Sequence, residues 1–155
     1  MSIVLHFRHL LCLGLFNETL DFQTEALPYY AKAPFLNGLR ARGIDVISRL
    51  RKDAVGWDDP EPPSPGTRGR RSRYGRKWPL VTLLSAQPPT RERLTLYGKL
   101  TEVVFVVRDL WLRDLAQKVR VVVLEGAQEP FILVRTDLRL SALQIIEIYG
   151  TRFSN

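Results

Sequence analysis

The sequence is poor in the residues that carry covalent and metal chemistry. Its 155 residues include one cysteine, Cys12, and two histidines, His6 and His9. One cysteine excludes an intramolecular disulfide, and it excludes a thiolate zinc site, which needs several cysteine or histidine ligands at defined spacings. Both histidines lie near the N-terminus, so a Ser–His–Asp site and a histidine-bound metal are poorly supported. A reducing compartment is the simplest fit to this composition, and we expect a cytoplasmic protein.

Long apolar runs are absent as well. No segment approaches the roughly 20 apolar residues of a membrane-spanning helix, so we predict a soluble protein. The apolar run LLCLGLF at 10–16 follows a basic start, as in a secretory signal peptide, but it is short and no small-x-small cleavage site follows it. The alternatives for residues 1–23 are a short strand or helix, or a poorly ordered tail.

Acidic residues and nucleotide-binding motifs are scarce. The chain has 23 lysines and arginines against 16 aspartates and glutamates, a net charge of +7. This excess favours a polyanion as partner, nucleic acid first and an anionic membrane surface second. There is no glycine-rich phosphate loop with its lysine and no dinucleotide fingerprint. Hydrophobic residues make up 45% of the chain, which is enough for the core of about one domain.

Residues 29–53 predict a helix that leads into a strand. Pro34 stands just inside the helix start, where its missing N–H costs no hydrogen bond, and Gly43 ends the helix in the left-handed conformation. From Ile44 the side chains alternate, as expected for a strand with one inner face. Basic residues follow at the exit of this strand, and we take them as candidate DNA contacts: Arg49, Arg51 and Lys52.

A proline- and arginine-rich loop is predicted at 57–79. Proline is dense between 60 and 65, which neither a helix interior nor a central strand tolerates. The part from 68 to 77 has no acid and holds six of the chain's 23 basic residues, which leaves 17 basic against 16 acidic residues elsewhere. We interpret it as a flexible arm that neutralises DNA phosphates, with Tyr74 able to stack on a base; the alternative is a solvated loop without a partner. Its candidate contacts are Arg68, Arg70, Arg71, Arg73, Arg76 and Lys77.

Strands dominate the prediction after this loop. They are expected at 80–85, 93–98, 102–107, 119–124 and 131–135, from β-branched or alternating patterns. The segment GAQEP at 126–130 fits a hairpin loop, and residues 109–118 fit either a strand with a bulge or a short helix. A last helix begins at a capping box formed by Ser141 and Gln144. Its apolar stripe is still running at Asn155, which predicts a truncated domain.

Several segments, in order, resemble the DDE transposases of bacterial insertion sequences, in the branch with a Tyr-x2-Arg-x3-Glu-x6-Lys signature. They are YYAKAPFLNGLRARGIDVISRLRKDAV, the loop ending in RYGRKWPL, FVVRDLWLRD, VRVVVLEG and FILVRTDLRLSALQIIEIYGTRF. Together they cover about residues 24–155. The resemblance implies an α/β fold with a partial RNase H-like mixed sheet and flanking helices. It also implies a β-rich insertion at about 80–135, before the last catalytic helix at 141–155.

The resemblance implies a metal-dependent activity, DNA cleavage and strand transfer at transposon ends. Two Mg²⁺ ions would be held by two aspartates and a glutamate. Tyr149 and Arg152 match the helical signature and are the catalytic-site residues that it carries over. The carboxylates have no counterpart: the first precedes the matched region, the second falls at Ala26, and the glutamate would follow Asn155. We therefore assign no metal ligand and expect the parent activity to be lost.

The remaining carboxylates cannot be assigned as replacement metal ligands, because their spacing in the sequence does not single out any three of them. They are Asp45, Asp53, Asp109, Asp114, Asp137 and Glu147. Three hypotheses follow: a transposase remnant without catalytic activity, a remnant that still binds double-stranded DNA, or an unrelated basic β-rich interaction protein. We expect neither a membrane nor a small-molecule substrate as partner. If the protein binds DNA, we expect it to associate with the nucleoid. The sequence leaves open whether it forms a homo-oligomer.

Overall fold

The computed structural model describes residues 2–4, 33–62, 65–66, 69–96 and 98–151. Within these ranges the strands are β1 (Ser2–Val4), β2 (Asp45–Arg49), β3 (Val55–Trp57), β4 (Lys77–Pro79), β5 (Thr90–Leu96), β6 (Lys99–Leu112), β7 (Gln117–Leu124) and β8 (Phe131–Arg135). The α-helices are α1 (Ala33–Arg40), α2 (Leu83–Ala86) and α3 (Ala142–Thr151). Two 3₁₀ turns cover Leu80–Thr82 and Arg113–Leu115. None of the described helices is long and apolar enough to cross a membrane.

The described strands form one sheet in the order β1-β2-β8-β7-β6-β3-β4. β5 pairs with β6 on the same edge as β3, because Phe105 of β6 has Thr90 of β5 on one side and Leu124 of β7 on the other. The β1–β2 pair is parallel, and the other pairs are antiparallel. The prediction of an α/β fold with a mixed sheet and flanking helices is therefore confirmed. The sheet is antiparallel almost throughout, however, and in this it departs from an RNase H-like sheet.

Both faces of this sheet are covered, although the alternation in β2 predicts a single inner face. Val46 packs on the face that also buries Leu36 of α1 and Leu83 of α2. Ile47, the next residue, packs on the opposite face against Ile145 of α3. A strand between two covered faces buries consecutive residues. The alternation in the sequence separates the residues of β2 into two faces, but it does not show that both faces are covered.

The predicted strand at 80–85 is wrong. A 3₁₀ turn and α2 occupy this segment, and Leu80 and Leu83 are both fully buried in the same core. Residues three apart lie on one side of a helix, whereas a strand would place them on opposite faces. At 109–118 the chain combines elements of both alternatives: β6 continues to Leu112, a 3₁₀ turn follows, and β7 begins at Gln117. The strands predicted at 93–98, 102–107, 119–124 and 131–135 correspond to β5 to β8, and the hairpin loop at 126–130 is confirmed.

The ends of α1 and the start of α3 agree with the sequence. Gly43 has φ of +72°, the left-handed conformation that glycine adopts without a Cβ penalty. At α3 the capping box forms in both directions. Ser141 N–H donates to Gln144 Oε1 at 2.9 Å, and Gln144 N–H donates to Ser141 Oγ at 3.2 Å. The structure thus confirms the two boundaries for which the sequence supplied specific end signals.

Candidate nucleic-acid interface

The basic segment, residues 69–77, returns along β3 as the second half of a long hairpin. Lys77 pairs with Trp57 at the start of β4. Beyond that pair, Asp58 N–H donates to the Arg76 carbonyl and Gly75 N–H donates to the Asp58 carbonyl, both at 2.9 Å. The β3–β4 ladder therefore continues into the loop. The sequence predicts a flexible arm, but the part from Gly75 to Lys77 is hydrogen-bonded to the strand beside it.

Aromatic side chains hold the segment on one face of the sheet. The ring of Tyr74 lies between two tryptophans, with its centroid 6.0 Å from that of Trp57 and 6.1 Å from that of Trp111. The guanidinium of Arg113 lies over the Trp57 ring, 4.3 Å from its centroid. Tyr74 is half-buried by these contacts. The ring that the sequence offers for base stacking is thus already packed against protein.

Asp58 connects the root of the loop to the other face of the sheet. Its Oδ2 accepts a hydrogen bond from Trp78 Nε1 at 2.7 Å. Its Oδ1 accepts from Arg108 Nε at 3.1 Å and from Arg108 Nη2 at 2.8 Å. The guanidinium groups of Arg76 and Arg108 lie 4.0 Å and 4.5 Å from the centroid of the Trp78 ring. One carboxylate thereby joins β3, β4 and β6.

Asp59 repeats this pattern with different partners. Its Oδ1 accepts from Trp111 Nε1 at 2.8 Å, and its Oδ2 pairs with Lys118 Nζ. The hydrogen bonds from Lys118 and then Trp111 hold the pKa of Asp59 below its ordinary value. Successive side chains of an extended chain point to opposite sides, so the two neighbouring carboxylates hold the two faces of the sheet. We call Asp58 and Asp59 the aspartate clamp.

The cations of the basic segment lie on the surface. The described ones are all exposed, and none forms an ion pair with another residue of the described part of the chain. They are Arg70, Arg71, Arg73, Arg76 and Lys77. Arg68 lies outside the described residues. Exposed guanidinium groups without an acidic partner, next to a backbone that is anchored from Gly75 to Lys77, are suited to phosphate, which guanidinium binds with paired hydrogen bonds.

The second group of predicted DNA contacts lies outside the basic segment, and each of its side chains has a partner in the protein. Arg49 is half-buried with its guanidinium 3.9 Å from the centroid of the Phe131 ring. Arg51 pairs with Asp53 at 3.2 Å and Lys52 with Glu129 at 3.0 Å. Arg51 and Lys52 lie in the connection from β2 to β3. There Ala54 N–H donates to the Arg51 carbonyl at 3.1 Å, and the Ala54 carbonyl accepts from Leu80 N–H, just after β4, at 3.0 Å. Each of these three cations thus has an aromatic or acidic partner within the described residues.

Carboxylates and guanidinium groups alternate on the face of the sheet that carries α3. Asp109, Arg120 and Arg135 are cross-strand neighbours in one row. Arg120 donates from Nε and Nη2 to the two carboxylate oxygens of Asp109, each at 2.8 Å. The hydrogen bonds to Asp109 raise the pKa of Arg120 above its ordinary value. Both carboxylate oxygens of Asp109 are therefore bound by one arginine.

The other two aspartates of this region share two arginines. Arg135, only 1% exposed, has Nη2 at 3.5 Å from Asp137 and 3.9 Å from Asp45. Arg139, on the surface, reaches the same carboxylates at 2.7 Å and 3.5 Å. Burial opposes ionisation of Asp137, but hydrogen bonds from Arg139 and the charges of Arg139 and Arg135 outweigh it and lower the pKa of Asp137. Each carboxylate thus faces guanidinium.

The described residues do not fit the Mg²⁺ ions that the transposase resemblance implies. Among them, no three histidines, cysteines, aspartates or glutamates are grouped so that they could hold a metal ion. Tyr149 is 5% exposed and packs its ring edge-on against Phe131, 5.7 Å between centroids, inside the core beneath α3. Arg152 and Ala26 lie outside the described residues. We derive no catalytic step from this arrangement.

Sequence reasoning missed the partners of the basic segment. Trp57, Asp58 and Asp59 stand before the prolines, and Trp111 lies some fifty residues later in a segment with two alternatives. Only the pairing of Trp57 with Trp111 across β3 and β6 brings them together. A usable signal was present, since all three tryptophans of the chain, Trp57, Trp78 and Trp111, lie in this interface.

Comparisons of the chain with protein-family models, with curated proteins and with solved structures gave no match. They neither support nor oppose the resemblance to DDE transposases, which rests on the sequence segments quoted above.

Proposed function

We propose that this chain is a transposase-derived protein that binds double-stranded DNA through its basic segment and does not cleave it. The observation that carries the proposal is the set of exposed cations without acidic partners in a segment whose root, Gly75 to Lys77, is hydrogen-bonded to the sheet. The net charge of +7 adds a general attraction for polyanions. Because the root of the segment is already ordered, binding requires less loss of conformational entropy than a free tail would.

The transposase origin and the RNase H-like part of the fold belong to the same proposal. The parallel β1–β2 pair is the feature that a remnant of such a core would retain, and the antiparallel strands β5 to β8 would then belong to the insertion at about 80–135. The pairing of Asp45, Asp109 and Asp137 with arginines supports binding without Mg²⁺-dependent cleavage. A DNA-bound form would associate with the nucleoid in the cytoplasm.

Filter binding of duplex DNA across a salt series tests the binding function. Each phosphate contact contributes about −0.9 to the slope of log K against log salt, so the five described cations of the segment allow a slope down to about −4.5. We expect a slope between about −3 and −4.5. A slope near zero, or no retention at low salt, would reject DNA binding and favour the unrelated interaction protein.

Incubation with end-labelled duplex DNA tests the absence of cleavage. In Mg²⁺ or Mn²⁺ at protein concentrations that saturate the DNA, we expect the substrate to remain intact, because no described carboxylate triad is open to hold two ions. An EDTA-treated reaction is the control for contaminating nuclease. Metal-dependent cutting at a defined position by the purified chain would contradict this part of the proposal.

A further inference from the structure

We propose that Asp58 and Asp59, the aspartate clamp, are positioning residues of the DNA interface, an inference that rests on the proposed function. Each carboxylate joins one tryptophan N–H and one cation from other strands, on opposite faces of the sheet. Neither contacts DNA in this proposal. They hold the root of the basic segment so that its arginines start from one conformation.

Asp58 links the clamp directly to the basic segment. Its side chain binds Arg108 and Trp78, while its backbone N–H and carbonyl bind the Arg76 carbonyl and the Gly75 N–H. Anchoring of the side chain to the sheet therefore fixes the backbone of the segment through adjacent bonds. Loss of the Asp58 carboxylate would remove its contacts with the sheet and thereby loosen the backbone hydrogen bonds of Asp58 to Gly75 and Arg76.

Gly75 gives an independent indication that the close approach is specific. A Cβ at residue 75 would lie 2.1 Å from the carbonyl oxygen of Asp59 and 3.3 Å from the Cβ of Asp58. Backbone cannot yield in the way a flexible side chain can, so any residue with a Cβ would displace the segment from the clamp. The alanine substitution at this position changes no charge.

Charge alone predicts the opposite effect of the clamp on DNA binding. Two carboxylates next to a phosphate-binding segment repel DNA, so their removal would strengthen binding if they had no positioning role. Glu61, an exposed acid of the same loop that lies outside the clamp, supplies the matched control. The sign of the change in affinity thus separates the two roles.

The test compares Asp58→Ala and Gly75→Ala with Glu61→Ala in the full chain. We expect the first two to raise the Kd for duplex DNA by about fivefold, through ordering of several side chains and loop residues that the clamp no longer preorganises. Glu61→Ala should leave the Kd unchanged or lower it by up to about twofold. The salt slope should stay as in the wild type for all three, because the number of cations is unchanged.

Two readouts without DNA keep the inference separate from the proposed function. Tryptophan fluorescence, excited at a wavelength that tyrosine does not absorb, reports on this region because it contains every tryptophan of the chain, and release should shift the emission to longer wavelength. Trypsin should cut within 70–77 faster in Asp58→Ala and Gly75→Ala than in the wild type.

The clamp is overturned if both variants bind DNA at least as tightly as Glu61→Ala, or if trypsin cuts all forms alike. Failure of the wild type to bind DNA rejects the proposed function instead, and the trypsin rates still decide whether the clamp exists.

Discussion

Replacement of Arg70, Arg71 and Arg73 by alanine is expected to weaken duplex DNA binding by about 100-fold or more at 0.1 M salt, because each lost phosphate contact removes about 0.9 from the salt exponent. The salt slope should become shallower by up to about 2.7 units for the same reason. These arginines are exposed and carry no role in β4, so the fold should persist. Filter binding and far-ultraviolet circular dichroism measure the two expectations.

A variant with the same charge change serves as the control for this result. Arg42, Arg51 and Lys52 are also exposed, but they lie outside the basic segment, and Arg51 and Lys52 have acidic partners. Their joint replacement by alanine tests net charge alone, and we expect a much smaller loss of affinity. Equal losses in the two triple variants would mean that binding follows the overall charge and that the segment is no specific interface.

Replacement of Arg135 by alanine is expected to lower the free energy of unfolding by about 3–5 kcal/mol, since it leaves partly buried carboxylates without their buried partner. Asp137 and Asp45 lie 3.5 Å and 3.9 Å from this guanidinium, and their side chains are 13% and 23% exposed. The lost side chain would also leave a cavity in a region of the sheet where Arg135 is 1% exposed. Urea unfolding followed by circular dichroism gives the measurement.

Arg139 provides a matched comparison, because it binds the same two carboxylates from the surface. Its side chain is 80% exposed, so solvent screens the pair and Arg139→Ala should change stability far less than Arg135→Ala. If the two variants lost equal stability, burial would not be the cause. If Arg135→Ala were as stable as the wild type, the guanidinium would not be needed to neutralise the aspartates.

The local elements could be predicted because their signals lie within a few residues of each other. The unit from Pro34 through Gly43 into β2, the capping box of Ser141 and Gln144, and the boundaries of β8 agree with the structure. Helix ends are specified by the hydrogen-bonding needs of about four backbone groups, which a short segment can satisfy by itself. The segment 80–85 failed because leucines spaced by three fit a helix, while their β-branched neighbours fit a strand.

The interface required more than local pattern. Sequence identified the basic residues of the segment but grouped Arg49, Arg51 and Lys52 with them, although Arg49 packs on Phe131 and the other two pair with acidic residues. It also offered Tyr74 as a free ring, whereas Trp57 and Trp111 enclose it. Neither fact can be read without the order and register of the strands.

The sequence by itself determined the excess of positive charge, its concentration in one loop, the identity of most strands, the C-terminal end of α1 and the start of α3. Tertiary structure alone decided that Trp57 meets Trp111, that Asp58 and Asp59 hold opposite faces, and that Arg135 is buried between two aspartates. The physical reason is register: one residue of slip would turn every side chain to the other face, and register is set by packing between residues far apart in the chain.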